Sequence, residues 1–122
     1  MSVGEIRYLQ IPAADVETAA GFYASVFGWA IRNRGTDEVA FDDASGHVSG
    51  TWIRDRPPSG QAGLLVYIQV DSVEATLEIV TECGGEIASA MTTQGAGEAF
   101  ATFRDPAGNV LGIFHEGGAD AI

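Results

Sequence analysis

The sequence contains no lysine, a single cysteine and few cationic residues of any kind. Six arginines stand against 17 Asp and Glu residues, and the formal net charge is −11. Without a lysine side chain, Schiff-base chemistry and a lysine general base are excluded. A strongly negative surface repels phosphate backbones, so we predict no nucleic-acid partner. Cys83 cannot form an internal disulfide on its own, which is consistent with a reducing compartment.

Long apolar runs are missing as well. No stretch reaches the ~18–20 apolar residues of a membrane-spanning helix, and no basic and apolar leader starts the chain. We therefore expect a cytoplasmic protein with no membrane partner. What the chain does have is 122 residues, of which 46% are hydrophobic and 19% charged. That composition is typical of one globular domain with a substantial core.

The two halves of the chain repeat one pattern. Residues 41–52 align with residues 103–114 at an offset of 62, and Phe, Asp, Gly, Val and Gly recur in register. Residues 15–17 align with residues 72–74 at an offset of 57, and the difference indicates an insertion around residues 92–97. Two matches in the same order indicate a duplicated module.

Each module is predicted to run strand, helix, strand, strand, strand. Asp15 is the predicted N-cap of the first helix, which ends near Phe27 at Gly28. The second helix is predicted over 73–83, and the strands over 6–11, 29–33, 38–41, 48–54, 64–70, 87–91, 99–103 and 110–115. We expect a single domain over 1–122, with module one at about 1–56, a linker at about 57–62, module two at about 63–116 and a short tail at 117–122.

Two segments in this arrangement resemble a known family. They are "FYASVFGW", which ends the first helix, and "RDPAGNVLGIF", near the end of the chain. Both are similar to the vicinal oxygen chelate superfamily, which includes glyoxalase I, extradiol dioxygenases, fosfomycin-resistance enzymes and bleomycin-resistance proteins. The resemblance implies an α+β, glyoxalase-like fold in which two tandem βαβββ modules form a curved sheet around a cavity. It also implies a homodimer, since single-domain members usually form one.

Strand alternation then predicts which side chains line the cavity. In residues 64–70 one set is purely aliphatic and is assigned to the face under the helices, and module symmetry extends the assignment to the other strands. The predicted ligand-binding residues are Tyr8, Gln10, Val48, Gly50, Trp52, Leu65, Tyr67, Gln69, Val110, Gly112, Phe114 and Glu116. Such a mainly aromatic and apolar lining is typical of small-molecule sites. Alternatively, Trp52, Tyr67 and Phe114 pack on each other as ordinary core.

The resemblance also implies four places for metal ligands, on the first and last strands of each module. In this sequence they are Tyr8, Gly50, Leu65 and Gly112, which lack the imidazole or carboxylate groups that divalent ions prefer. The remaining candidate ligands are His47, His115, Cys83, Glu98 and Glu116. A turn role is predicted for His47, a surface or packing role for His115 and a packing role for Cys83, and the two histidines do not lie at facing positions. We therefore predict no metal and no cofactor. The two glycines leave space above the sheet for a flat ligand or a large neighbouring side chain, or allow close packing.

Three functions remain open at this stage. The first is a metal-free protein that binds a planar or cationic organic ligand, as bleomycin-resistance proteins do. The second is a metal-free isomerase, cyclase or hydrolase, with Tyr8 or Tyr67 as hydrogen-bond donor and Glu98 or Glu116 as base. The third, a metal-dependent glyoxalase or dioxygenase, is disfavoured by the four ligand positions. The first is the leading hypothesis, with a small-molecule ligand and a second copy of the chain as partners.

Overall fold

The computed structural model describes residues 3–60, 63–95 and 97–116. The end of the predicted linker at 61–62, one position of the predicted insertion, 96, and the predicted tail at 117–122 lie outside the described residues. Within those ranges, neither helix has the length and apolar content needed to cross a membrane.

The described part of the chain forms two helices and two four-stranded sheets, which confirms the predicted α+β class. The first module comprises β1 (Tyr8–Pro12), α1 (Val16–Phe27), β2 (Ala30–Arg32), β3 (Ala40–Asp42) and β4 (Ser49–Ile53). The second comprises β5 (Tyr67–Gln69), α2 (Val73–Glu82), β6 (Glu86–Gln94), β7 (Glu98–Arg104) and β8 (Val110–His115). The sheets are open, in the orders β1-β4-β3-β2 and β5-β8-β7-β6, so both modules share one topology.

Both helices begin at a side-chain cap. Asp15 accepts the backbone N–H of Thr18 at 3.1 Å, and Ser72 accepts that of Ala75 at the same distance. Each cap satisfies one of the N–H groups that have no partner inside the helix. Helix α1 ends at Gly28, whose φ of 72° is the left-handed conformation that glycine adopts without strain. The repeated cap therefore fixes where each helix starts on its sheet.

The core is built around stacked aromatic rings between α1 and the first sheet. The ring of Tyr23 in α1 stacks on that of Trp29, which stacks in turn on Phe41, and the ring centroids are 4.6 Å apart in both pairs. Trp52 lies 4.9 Å from Phe41 and 6.1 Å from Tyr23. Phe103 of the second module lies 5.6 to 5.9 Å from rings of α1, so this helix packs on both modules.

A buried hydrogen-bond network joins the two modules. The Tyr23 hydroxyl donates to Asp105 Oδ2 at 2.8 Å, and both residues are buried. Asn109, also buried, donates from Nδ2 to Asp105 Oδ2 at 3.1 Å and to the carbonyl of Pro12 at 2.7 Å. Its Oδ1 accepts the N–H of Ser59 at 2.8 Å. Asn109 thus connects the end of β1, the linker and the turn between β7 and β8.

The two β-hairpins that carry the repeated motif differ in turn length. Asp43 donates its N–H to the carbonyl of Val48, which leaves four residues in the first turn. Asp105 donates to the carbonyl of Asn109, which leaves three residues in the second. The sequences align without a gap, yet β4 is shifted by one residue against β3 relative to the second hairpin. A shift of one residue moves every side chain of a strand to the opposite face.

This shift corrects the predicted orientation of β4. Gly50 pairs with Leu9, Trp52 pairs with Ile11, and these side chains face α1 rather than the open side of the sheet. Trp52 belongs to the aromatic core, and a Cβ on Gly50 would lie 2.5 Å from Cζ of Phe41. The sequence repeat had placed both residues on the cavity side, because it treated the two hairpins as having equal turns.

Candidate functional site

The second sheet has an uncovered face that carries aromatic rings. Leu111 and Ile113 are buried toward α2, so strand alternation puts Val110, Gly112 and Phe114 on the other side. Tyr67 pairs with Gly112 and Gln69 pairs with Phe114, which places the two β5 side chains on that same side. The rings of Tyr67 and Phe114 meet edge to face at 6.4 Å. Five of the predicted lining residues are thus brought together on one surface, the aromatic face.

The equivalent face of the first sheet is polar. Tyr8 pairs with Ser49 and Gln10 pairs with Thr51, and both β1 residues are exposed. Ser49 Oγ donates to Asp42 Oδ1 at 2.6 Å, and Arg32 Nε donates to Asp42 Oδ2 at 2.9 Å. These hydrogen bonds and the positive charge of Arg32 lower the pKa of the Asp42 carboxyl, which stays ionised at neutral pH. We call this surface the polar face.

Several residues of these two faces were missed by sequence reasoning. Ser49 and Thr51 replace Gly50 and Trp52 on the polar face, because of the shifted register. Phe100 pairs with Phe114, and Thr102 pairs with Gly112, so both belong to the aromatic face. The positions of Phe100 and Thr102 follow from the alternation of side chains along β7. Ala99, Ala101 and Phe103 are all buried, so the residues between them lie on the open side.

A separate groove of about 770 Å³ lies between the helix-facing side of the first sheet and β5. Its walls are mainly apolar and include Leu9, Phe27, Trp29, Phe41, Val66 and Ile68. Four of the predicted lining residues also line the groove: Val48, Leu65, Tyr67 and Gln69. The last predicted residue, Glu116, is exposed just after β8. The predicted set is therefore divided between the two open faces, the groove and the core.

The four places that the resemblance implies for metal ligands do not converge. Tyr8 is on the polar face, Gly50 faces α1, Leu65 lies in the groove, and Gly112 is covered by the ring of Tyr67. Across residues 3–60, 63–95 and 97–116, no three His, Cys, Asp or Glu side chains gather where they could hold a metal ion. Hydroxyl groups and glycines are poor donors for a divalent ion, so these residues do not fit a metal.

Comparison with known proteins identifies the family to which the chain belongs. The sequence profile of the Glyoxalase/Bleomycin resistance protein/Dioxygenase superfamily matches residues 5–113. The chain belongs to this superfamily. A glyoxylase-like domain-containing protein from Didymella fabae is 34% identical over 124 residues, which cover 90% of this chain and 92% of the relative. The resemblance seen in the sequence is thereby confirmed.

Solved structures show that the fold is that of the superfamily. A glyoxalase-related enzyme from Fulvimarina pelagi superposes with a TM-score of 0.76 at 17% identity, over 93% of this chain and 89% of that one. TnmS3, an antibiotic binding protein from Streptomyces sp. CB03234, superposes with a TM-score of 0.70 at 21% identity, over 94% and 98% of the two chains. Proteins with this fold therefore include both a glyoxalase-related enzyme and an antibiotic binding protein.

Proposed function

We propose that this superfamily member binds a planar or cationic organic molecule on its aromatic face, without a metal ion. The observation that carries the proposal is the edge-to-face pair of Tyr67 and Phe114, on the side of the second sheet opposite the buried residues Leu111 and Ile113. Aromatic rings stack on flat ligands and attract cations over their faces. The net charge of −11 favours a cation over an anion. The structural likeness to TnmS3 supports a binding role.

The catalytic alternative would require an acid or base held beside the ligand. Among the described residues, the one buried carboxylate is Asp105, which lies in the network between the modules and not on an open face. Glu98 and Glu116 are exposed at strand ends. Since no described acid on either face is buried or paired with a tyrosine hydroxyl, the geometry favours binding over catalysis.

A homodimer completes the proposed site. Strands β1 and β5 are each paired on one side only, so both sheets end in a free edge there. Large apolar side chains are exposed beside these edges: Ile6 at 75%, Tyr8 at 59% and Leu64 at 88%. Exposed apolar groups beside an unpaired strand are typical of an interface. We infer that a second copy covers these edges and brings its polar face opposite the aromatic face.

The dimer is tested by sedimentation. We expect twice the 12.7 kDa of one chain, and we expect Ile6→Asp with Leu64→Asp to give monomers, because an unpaired carboxylate is costly to bury. Ile79, 38% exposed on α2, provides the matched control, and Ile79→Asp is expected to leave the dimer intact. A wild-type monomer at high concentration, or equal dissociation by both substitutions, would contradict the assigned edges.

Ligand binding is tested with proflavine, a flat organic cation, by fluorescence titration and calorimetry. We expect saturable binding, and we expect Tyr67→Leu to weaken it about three- to tenfold, because the substitution removes one stacking surface. Ile79→Ala changes an exposed apolar residue on α2 and is expected to have no effect. Binding that is unchanged in Tyr67→Leu would place the ligand away from the aromatic face.

A further inference from the structure

Gly112 lies directly beneath the ring of Tyr67. A Cβ built on Gly112 would overlap Cε2 of Tyr67 and would lie 2.5 Å from its Cδ2 and 2.9 Å from its Cγ. Carbon atoms that are not bonded cannot approach so closely, so any side chain at position 112 would displace the ring. The ring therefore rests flat on the backbone of β8, and the absence of a Cβ is what allows it to do so.

The Tyr67 side chain remains partly exposed above Gly112. Tyr67 is 43% exposed although one side of its ring covers Gly112. The neighbouring ring of Phe114 stands at 76° to it, with centroids 6.4 Å apart. The Tyr67 ring thus forms the floor of a site, and the Phe114 ring stands nearly perpendicular to it at one side. A flat molecule could stack its face on Tyr67 and contact Phe114 with its edge.

The first sheet has no equivalent floor. The residue paired with Tyr8 is Ser49, which has a Cβ and donates its hydroxyl to Asp42. Tyr8 is also more exposed than Tyr67. The glycine under a tyrosine is therefore a property of the second sheet and not of the repeated module as a whole.

We propose that Gly112 determines ligand specificity, by holding the Tyr67 ring flat so that the site selects planar aromatic molecules over compact, non-planar ones. This inference rests on the proposed binding function. Gly112 acts through Tyr67 and needs no contact of its own with the ligand. Position 112 is one of the places that the resemblance implies for a metal ligand, and a glutamate or histidine there would have to displace the ring.

The experiment compares two cations of different shape, proflavine and 1-aminoadamantane, each carrying one positive charge at neutral pH. We expect the wild type to prefer proflavine. In Gly112→Ala we expect proflavine affinity to fall about three- to tenfold, with little change for 1-aminoadamantane, because the displaced ring no longer offers a flat surface. Gly63→Ala is the matched control, since a Cβ at Gly63 meets no atom within 4 Å.

An NMR measurement without ligand tests whether the Tyr67 ring lies over Gly112. Protons on Gly112 Cα lie under the Tyr67 ring, so their NMR resonances are expected upfield of ordinary glycine values and are expected to return to them in Tyr67→Leu. If Gly112→Ala does not fold, Tyr67→Leu still tests the selection, because it removes the same surface. Ordinary Gly112 shifts, or an unchanged preference in Gly112→Ala, would overturn the inference alone. A wild type that binds neither cation would overturn the proposed function, and the specificity role with it.

Discussion

Gly50→Ala is expected to lower the free energy of unfolding by about 3 kcal/mol, because the added methyl group has no space. It would overlap the carbonyl oxygen of Leu9, a backbone atom of the paired strand, and would lie 2.5 Å from Cζ of Phe41. Phe41 is fully buried and stacked on Trp29, so its ring cannot withdraw. Urea unfolding followed by tryptophan fluorescence measures the loss.

The same substitution at two other glycines supplies the comparison. Gly63→Ala meets open space and is expected to stay within about 0.5 kcal/mol of the wild type. Gly112→Ala meets only the half-exposed ring of Tyr67, which can rotate away, so we expect a smaller loss there than at Gly50. A Gly50→Ala protein as stable as the wild type would show that Gly50 faces the open side, and the register of β4 described above would be wrong.

Asp105→Ala is expected to lower the free energy of unfolding by about 3 kcal/mol, because it leaves buried donors without an acceptor. The Tyr23 hydroxyl loses its hydrogen bond of 2.8 Å, and the N–H groups of Ala107 and Asn109 lose bonds of 3.0 and 2.8 Å. Burial, with the charge of Asp105 and its hydrogen bond to Tyr23, raises the pKa of that tyrosine well above its ordinary value. The hydroxyl therefore remains a donor throughout the physiological pH range.

Tyr23→Phe distinguishes the two contributions of Asp105 to stability, its hydrogen bond to the other module and its hydrogen bonds within the turn. It removes one donor and keeps the turn bonds to Asp105, so we expect a smaller loss of about 1–2 kcal/mol. Because Tyr23 and Asp105 share one hydrogen bond, the double variant is expected to be more stable than the sum of the single losses predicts. Strict additivity in denaturant unfolding would mean that the two side chains do not interact, and the proposed link between the modules would fail.

The order and type of the elements could be predicted from the sequence, because local signals and the repeat agree. Asp15 and Gly28 mark the ends of α1 as expected, and β8 runs over the predicted residues. The second-sheet assignment also rests on local alternation, since Leu111 and Ile113 alternate with Gly112 and Phe114 along one strand. Where a strand carries its own alternating pattern, its two faces can be read without knowing its partner.

The orientation of β4 could not be predicted, because it depends on how many residues the turn takes. The motifs around Asp43 and Asp105 are alike in sequence, and each aspartate accepts N–H groups of its own turn. The pairing closes one residue later in the first hairpin. Symmetry between the modules therefore predicts the orientation of the β1 side chains correctly and that of the β4 side chains wrongly.

The role of Asn109 in joining the modules could not be predicted from the sequence either. It aligns with His47 in the repeat, where a turn role was predicted, yet it is buried and bound to Pro12, which is 97 positions earlier in the chain. Contacts across such separations are set by how the modules pack, and no local pattern encodes them. The same holds for the groove, whose walls come from both modules.

The extra residue in the first hairpin turn distinguishes two kinds of change open to a duplicated gene. A substitution alters one side chain, whereas a turn that takes one residue more from a sequence of the same length exchanges the inner and outer sets of a whole strand. Each module carries residues suited to its own orientation, such as Trp52 on the inside of β4 and Phe114 on the outside of β8. The modules are then no longer interchangeable parts. A strand transplanted between them by sequence alignment would enter with its core side facing solvent.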